Sequence, residues 1–279
     1  MSRPPSALPV PRTAAGREGL AALLADPAHS LIVLDYDGTL APIVLRPQDA
    51  SPQAGARAVL AELTTRFGTV VILTGRAAAT VVELADLSGL RGLAVVGQYG
   101  LDRWQDGVLT AAVVHPGIAM ARSWLPALLA DAGPGVQVED KGHSLVVHTR
   151  PAADPVRALA ALRDPIARLA AAAGLVAEPG RLVMDLVPPE ATKGAALRLL
   201  VSAHRPAAAL CAGDDLGDLS SYREVEKLRA TGIPGVCVAA RDASGEVPAE
   251  LLAAADLVVD GPSGMVAFLA ALVAVVGEP

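Results

Sequence analysis

The sequence predicts an α/β fold, with a doubly wound, mostly parallel, Rossmann-like sheet as its core and a smaller α+β domain inserted into that core. Three runs of aliphatic residues carry this prediction, at positions 31–34, 69–73 and 207–212. Runs without polar alternation are typical of strands that are buried on both faces, as in parallel sheets. Helical segments separate the runs, for example 54–67, where apolar residues repeat at helical spacing.

The other core elements follow from the same two patterns, short apolar runs for strands and amphipathic or apolar stretches for helices. In chain order we expect a short helix at 19–24, strand 31–34, helix 54–67, strand 69–73, helix 77–87, strand 93–96, a helix carrying Lys193 and Gly194 in its first turn, strands 207–212, 235–239 and 257–259, and a last helix capped by Ser263. The core domain is therefore expected to comprise residues 19–101 and 189–279.

The pattern changes between these two core segments. Residues 102–188 contain shorter strands with more polar alternation, together with a helix opened by Pro116 and a second helix at 155–173. We interpret 102–188 as an inserted α+β domain. The first 18 residues are rich in Pro, Ala and Arg and lack an apolar core, so a disordered lead-in is expected there.

Composition narrows the classes of function. Of the 279 residues, 52% are hydrophobic, 3% are aromatic, and the net charge is −6, which predicts an aliphatic core and argues against a nucleic-acid partner. The longest apolar helix candidate, 265–276, is shorter than the roughly 20 residues that span a bilayer, so no membrane partner is expected. Cys211 and Cys237 lie in apolar runs and are interpreted as buried thiols of a reduced, cytoplasmic protein.

Asp35 and Asp37 follow the first strand at a spacing that allows both carboxyl groups to face one side. A calcium loop is excluded because the twelfth position, which should be Glu, is Arg46. Three interpretations of this stretch stay open: a metal–nucleotide site of the glycosyltransferase type, a phosphoryl-transfer site, and a pair of capping acids without a catalytic role.

Four further polar residues favour phosphoryl transfer. Thr74 ends the second strand, Asp214 and Asp215 end the strand at 207–212, and Lys193 enters from the start of a helix. Parallel strands place their carboxyl ends at one edge of the sheet, where open α/β sheets bind ligands. A glycosyltransferase site would leave Lys193 and the second acid pair unexplained.

The chain resembles the haloacid-dehalogenase-like phosphatase superfamily. The four motifs of that superfamily are matched in order by Asp35-Tyr36-Asp37-Gly38-Thr39, Thr74-Gly75-Arg76, Lys193, and Gly213-Asp214-Asp215 with Asp218. Within the superfamily it most resembles the trehalose-6-phosphate phosphatases, through the stretches 35–43, 139–150 and 180–185. The resemblance implies Mg²⁺-dependent hydrolysis of trehalose 6-phosphate.

The resemblance also implies roles for individual residues. Asp35 is expected to be the nucleophile that forms an aspartyl-phosphate, and Asp37 the acid and base. Thr74 and Lys193 are expected to position the phosphate. The metal ligands implied are Asp35, the backbone carbonyl of Asp37, and Asp214, while Asp215 and Asp218 orient metal-bound water or Lys193.

The inserted domain resembles the cap of this family, which closes over the sugar. By that resemblance, the residues expected to contact sugar hydroxyls are Glu139, Lys141, Arg150 and Asp185. Arg76 is expected to be a structural residue at the start of a helix rather than a catalyst. A small sugar phosphate is the expected partner, and a trehalose-6-phosphate synthase is a second candidate partner. Two alternatives stay open: a phosphatase for sucrose, mannosylglycerate or glucosylglycerate phosphates, and a non-catalytic sugar-phosphate sensor.

Overall fold

A computed structural model of the chain describes residues 8–44, 46–180, 182–241 and 247–277. It divides into two compact units. The larger unit joins the chain up to Thr110 to the chain from Lys193 onward, and the smaller unit comprises Ala111–Thr192.

The strands and helices of the described residues are numbered here in chain order. The strands are β1 (Ser30–Leu34), β2 (Thr69–Leu73), β3 (Leu93–Gly97), β4 (Asp102–Gln105), β5 (Val108–Ala111), β6 (Gln137–Asp140), β7 (Leu145–His148), β8 (Val176–Gly180), β9 (Val183–Val187), β10 (Ala208–Gly213), β11 (Gly235–Ala240) and β12 (Leu257–Val259). The helices are α1 (Ala14–Ala25), α2 (Ala56–Arg66), α3 (Ala78–Leu84), α4 (Pro116–Leu128), α5 (Pro155–Ala172), α6 (Lys193–His204), α7 (Leu219–Ala230), α8 (Ala249–Ala254) and α9 (Gly261–Val276).

The larger unit is built on an eight-stranded sheet with the order β12-β11-β10-β1-β2-β3-β4-β5. From β12 to β3 every neighbouring pair is parallel, and β4 runs antiparallel to β3. The predicted α/β fold with a mostly parallel, doubly wound core sheet is confirmed. Because β10, β1 and β2 are neighbours, the segments that follow them leave the sheet at one edge.

Two-sided burial explains the aliphatic runs of the central strands. Along β1, Ile32 and Leu34 pack into one apolar cluster, while Leu31 and Val33 pack into the cluster on the opposite face. Residues of α1, α2 and α9 contribute to the first cluster, and residues of α6 and α7 to the second. Helices therefore cover both faces, which explains why positions 31–34 all carry apolar side chains.

The predicted boundaries of the inserted domain need correction. Residues 102–105 form β4, and the carboxylate of Asp102 accepts hydrogen bonds from the backbone N–H of Ala78. These contacts attach the segment to the larger unit, so the division falls after Thr110, and at the other end after Thr192.

The predicted disordered lead-in also needs correction where the chain is described. Helix α1 begins at Ala14, and the Thr13 hydroxyl caps it by accepting a hydrogen bond of 2.9 Å from the N–H of Gly16. The Thr13 hydroxyl also contacts the carboxylate of Asp256, which is far away in the sequence. That long-range partner is invisible to a local composition argument. Residues 1–7 lie outside the described part of the chain.

Three smaller expectations concern the cap of the last helix, the two cysteines and the length of the helices. The last helix begins at Gly261, so Ser263 is not its cap; its hydroxyl donates to the carbonyl of Asp260. Cys211 and Cys237 are buried free thiols on neighbouring strands, as expected for core residues. Throughout the described ranges, every helix is too short or too polar to cross a bilayer.

The smaller unit is a four-stranded antiparallel sheet with the order β6-β7-β9-β8. Its core contains Leu145 and Met184 from the sheet, together with Ile118 of α4 and Ile166 of α5. The inserted α+β architecture is confirmed. Strand register places Glu139, Val146, Asp185 and Glu178 side by side on β6, β7, β9 and β8.

Candidate active site

The predicted site residues of the core meet at one edge of the large sheet. Asp35 directly follows β1, and its N–H donates a 2.9 Å hydrogen bond to the carbonyl of Ala212 on β10. Thr74 directly follows β2, and its N–H donates a 2.9 Å hydrogen bond to the carbonyl of Val96 on β3. The parallel ladders thus continue through the strand ends and hold both residues in fixed positions.

A buried ion-pair network forms the floor of the site. The Nζ of Lys193 lies 2.7 Å from Oδ1 of Asp35 and 2.7 Å from Oδ1 of Asp218. All three side chains are buried. Burial would lower the pKa of Lys193, but the negative charges of Asp218 and Asp35 outweigh that effect and raise it well above its usual value. Lys193 is therefore a permanent cation at the first turn of α6.

Asp35 is a carboxylate in an unfavourable environment. Burial raises the pKa of Asp35 to about 6, although the positive charge of Lys193 acts in the opposite direction. Acids with perturbed pKa values concentrate at functional sites. Asp35 thus combines burial, a fixed cationic partner and a position at the carboxyl end of a central strand, which are the properties expected of a reacting group.

Asp218 connects the cation to the loop that follows β10. Its Oδ2 accepts hydrogen bonds from the backbone N–H groups of Asp214, at 3.1 Å, and Asp215, at 3.3 Å. Its other oxygen contacts Lys193. This arrangement ties Lys193 to the loop that carries Asp214 and Asp215. It also requires a glycine at position 213, where a Cβ atom would lie 2.0 Å from Cγ of Asp218.

Three buried acids form a group that fits a divalent cation. Carboxylate oxygens of Asp35, Asp214 and Asp218 lie within 4.8 Å of one another. Burial, followed by the negative charge of Asp35, raises the pKa of Asp214 well above its usual value. Three carboxyl groups face one ammonium group, that of Lys193. Hard oxygen donors and an excess of negative charge match what Mg²⁺ requires. The predicted ligands Asp35 and Asp214 belong to this group, and Asp218, predicted to act indirectly, lies beside them.

The side chain of Asp37 faces a different partner. Its carboxylate forms a two-pronged ion pair with Arg76, in which Nε donates to Oδ2 at 2.6 Å and one terminal nitrogen donates to Oδ1 at 2.7 Å. The other terminal nitrogen donates to the carbonyl of Pro47 at 2.7 Å. Asp37 and Arg76 are 39 positions apart, and no local pattern in the sequence connects them.

Thr74 lies in a tightly constrained loop. Its hydroxyl accepts a 3.1 Å hydrogen bond from the N–H of Arg76, and its carbonyl accepts one of 3.1 Å from the N–H of Tyr99. Gln98 and Tyr99 both have positive φ angles, 47° and 60°, which are uncommon for residues with side chains. Strain of this kind persists where the surroundings determine the backbone closely, as at ligand sites.

Gly38 allows the loop after β1 to lie close to Asp214, because its φ is +78° and a Cβ atom there would lie 1.9 Å from Oδ2 of Asp214. We expect Gly38→Ala to lower the free energy of unfolding by about 1–3 kcal/mol and to reduce turnover by displacing Asp214. Urea denaturation and phosphate release measure the two effects.

Gly107 provides the matched control for Gly38→Ala. Its φ is +87°, yet a Cβ atom there would have no neighbour within 4 Å. Gly107→Ala should therefore reproduce the backbone strain alone and leave turnover unchanged. If both variants retain full turnover, the close approach at Gly38 has no importance for the reaction.

The smaller unit brings several of its predicted residues together. Glu139 and Asp185 lie on one row of the sheet, and Nζ of Lys141 is 3.9 Å from Oδ1 of Asp185. Oε2 of Glu139 is 2.9 Å from Nε2 of His148. Arg150 is half-buried in the turn after β7. Arg181, which belongs to the family-like stretch 180–185, lies outside the described residues.

Glu178 lies in the polar row of the smaller sheet, although no motif in the sequence marks it. It pairs in register with Asp185, and burial, followed by the charge of Asp185, raises its pKa above the usual value. Its strand contains Pro179 and Gly180, so the sequence shows little strand alternation there. Only the register of β8 against β9 shows that Glu178 lies in the same row of the sheet as Asp185 and Glu139.

Comparisons with known proteins agree with this geometry. A family model described as Trehalose-phosphatase matches residues 33–253. The trehalose-phosphate phosphatase of Mycolicibacterium paratuberculosis (strain ATCC BAA-968 / K-10) is 32% identical over 240 residues, which cover 78% of this chain and 56% of that protein. The chain therefore spans little more than half the length of that relative.

Solved structures show the same fold. The C-terminal domain of a C. albicans trehalose-6-phosphate phosphatase superposes with a TM-score of 0.71 at 21% identity, over 95% of this chain and 99% of that one. A haloacid dehalogenase-like hydrolase from Bacteroides thetaiotaomicron superposes with a TM-score of 0.63 at 15% identity, over 87% of this chain and 98% of that one.

Proposed function

The chain belongs to the trehalose-phosphatase family, and we propose that it hydrolyses trehalose 6-phosphate to trehalose and phosphate with the help of Mg²⁺. The family resemblance drawn from the motifs is confirmed by the match over residues 33–253. The observation that carries the proposal is the buried group of Asp35, Lys193, Asp214 and Asp218 at the carboxyl edge of the sheet. A nucleophile, a cation and an acidic metal site are the parts that phosphoryl transfer requires.

The proposed reaction proceeds by two displacements at phosphorus. A carboxylate oxygen of Asp35 attacks the phosphorus, the bond from phosphorus to the sugar oxygen breaks, and Asp37 gives its proton to that oxygen. Water then attacks the aspartyl-phosphate, its proton passes to Asp37, and the bond from phosphorus to Asp35 breaks. The sum is one sugar phosphate and one water converted into free sugar and phosphate.

The other buried groups act on the charge of the phosphate. Lys193 already neutralises the oxygen of Asp35 that it contacts at 2.7 Å, and it can share its remaining N–H with a phosphate oxygen. Thr74 offers a hydroxyl that its backbone contacts hold in place. Asp35, Asp214 and the backbone carbonyl of Asp37 would hold Mg²⁺, with Asp218 and Asp215 orienting its surroundings. When bound, the ion supplies positive charge to the transferring phosphoryl group.

Four residues of the smaller unit are proposed to contact the sugar: Glu139, Lys141, Arg150 and Asp185. Their carboxylate, ammonium and guanidinium groups can each bind more than one hydroxyl, which suits a polyol. The row formed by Glu139 and Asp185, with Lys141 near Asp185, supports this proposal. The synthase partner and the cytoplasmic location have no further support and stay predictions.

Phosphate release from trehalose 6-phosphate, measured with Mg²⁺ and with EDTA, tests the proposal. We expect EDTA to reduce the rate at least about 100-fold, because a metal ion contributes several kcal/mol to such transition states. Added Mg²⁺ should restore the rate. It should also raise the thermal midpoint of the metal-free protein, because a ligand of the folded state stabilises that state.

A panel of sugar phosphates separates the alternatives. Faster phosphate release from a sucrose, mannosylglycerate or glucosylglycerate phosphate would identify a different substrate for the same type of reaction. Binding of a sugar phosphate without release would contradict the phosphatase proposal and favour a sensor. An undiminished rate in EDTA would contradict the role of Mg²⁺.

A further inference from the structure

The ion pair between Arg76 and Asp37 is the best-defined polar contact at the rim of the site. Both carboxylate oxygens of Asp37 are engaged, at 2.6 and 2.7 Å, by two nitrogens of one guanidinium group. Two parallel N–H···O bonds of this kind fix the plane of the carboxylate as well as its distance. The side chain of Asp37 is 36% exposed, and that of Arg76 is 16% exposed, so the arginine is the more firmly enclosed partner.

Arg76 is itself held from three directions. Its third guanidinium nitrogen donates to the carbonyl of Pro47 at 2.7 Å, and its backbone N–H donates to the Thr74 hydroxyl at 3.1 Å. The guanidinium carbon lies 5.9 Å from the ring centre of Tyr36, a distance at which cation–π attraction acts. Tyr36 is fully buried and donates a 2.7 Å hydrogen bond to the carbonyl of Ala50.

We propose that Arg76 is a positioning residue for Asp37, holding its carboxylate where it can exchange a proton with the sugar oxygen and with water. This inference rests on the proposed function. A carboxylate has about four acceptor positions, and the pair with Arg76 occupies two of them, so the outer two stay available for the proton. Without Arg76, a half-exposed aspartate is free to adopt other rotamers, and proton transfer depends steeply on position.

The test compares substrates that differ in their need for a proton donor. A sugar phosphate has an alkoxide leaving group that requires protonation, whereas p-nitrophenyl phosphate releases a stabilised phenolate that does not. We expect Arg76→Ala to lower kcat/KM about 100-fold for the sugar phosphate that the wild-type protein hydrolyses fastest. For p-nitrophenyl phosphate the loss should stay below about 5-fold, because kcat/KM reports the first displacement, in which that leaving group needs little acid catalysis. Arg76→Lys keeps the charge but loses the fork and should fall between.

Two further variants isolate the effect. In an Asp37→Asn background, adding Arg76→Ala should cause no additional loss of kcat/KM for the sugar phosphate, because Arg76 acts through Asp37. Arg198→Ala is the matched control, since Arg198 also binds a carboxylate with two nitrogens, at 2.9 and 3.2 Å from Glu224, but away from the site. It should leave kcat/KM unchanged for both substrates.

The outcomes are distinct. An equal loss for both substrates, or a further loss in the Asp37→Asn background, would show that Arg76 merely supports the structure of the loop and would overturn the inference. An unchanged sugar-phosphate rate in Arg76→Ala would overturn it as well. A wild-type protein that hydrolyses neither compound would overturn the proposed function, and the inference with it.

Discussion

Replacing Asp35 with asparagine is expected to abolish phosphate release, with kcat falling at least about 10⁴-fold. The amide of asparagine is a poor nucleophile, so no aspartyl-phosphate can form. The substitution keeps the shape of the side chain, and Lys193 keeps its 2.7 Å contact with Asp218. We therefore expect the folded structure to persist, which circular dichroism and the thermal midpoint can verify beside the rate of phosphate release.

Asp256 is the matched control for this loss, because it is a buried acid at the opposite edge of the same sheet. It precedes β12, its Oδ2 accepts a 2.7 Å hydrogen bond from the N–H of Cys237, and its carboxylate binds Arg229. Asp256→Asn should lower the free energy of unfolding by about 1–3 kcal/mol and leave kcat unchanged. Substantial turnover in Asp35→Asn would contradict a covalent role for Asp35. Loss of turnover in both variants would trace the effect to folding.

The parts of the fold that were predictable from the sequence are those with a local physical cause. Burial on both faces favours the apolar runs at 31–34 in β1 and 70–73 in β2, and such runs are visible in the sequence. Where the apolar runs stop, the buried polar residues Asp35, Thr74 and Asp214 mark the carboxyl ends of the strands. The topology then brings them to one edge, so the core of the candidate site followed from the order of the elements.

The parts that were not predictable depend on partners that are distant in the chain. Thr13 and Asp256 are 243 positions apart, and their contact turns a Pro- and Ala-rich segment into an attached helix. Strand β4 alternates between buried and half-buried residues, because successive side chains of a strand point to opposite faces, and its four residues are too short a signal alone. The pair of Asp37 with Arg76 has the same origin, since each residue has a plausible local role without the other.

Replacing Lys193 with methionine is expected to destabilise the protein more than any other single change at the site. Methionine retains the aliphatic stem but removes the charge, which leaves the carboxylates of Asp35 and Asp218 buried without the cation that now lies 2.7 Å from each. Breaking a buried ion pair by removing one partner costs about 3–5 kcal/mol. Urea denaturation in the presence of EDTA should show a loss of this size in the free energy of unfolding, and phosphate release should be lost as well.

Two comparisons test whether the missing charge causes this loss of stability: the addition of Mg²⁺ and the substitution of a surface lysine. If Mg²⁺ binds the same carboxylates, adding it should reduce the difference in stability between Lys193→Met and the wild-type protein, because the ion supplies part of the missing positive charge. Lys227→Met removes a lysine whose Nζ lies 3.0 Å from Glu224 but whose side chain is 66% exposed, so water already screens that pair. Its free energy of unfolding should change by less than about 1 kcal/mol. An equal loss in the free energy of unfolding in the two variants would mean that burial does not strengthen the ion pairs of Lys193. A stability difference that Mg²⁺ leaves unaltered would mean that the ion binds elsewhere, because a cation placed between Asp35 and Asp214 must feel the charge of Lys193 beside it.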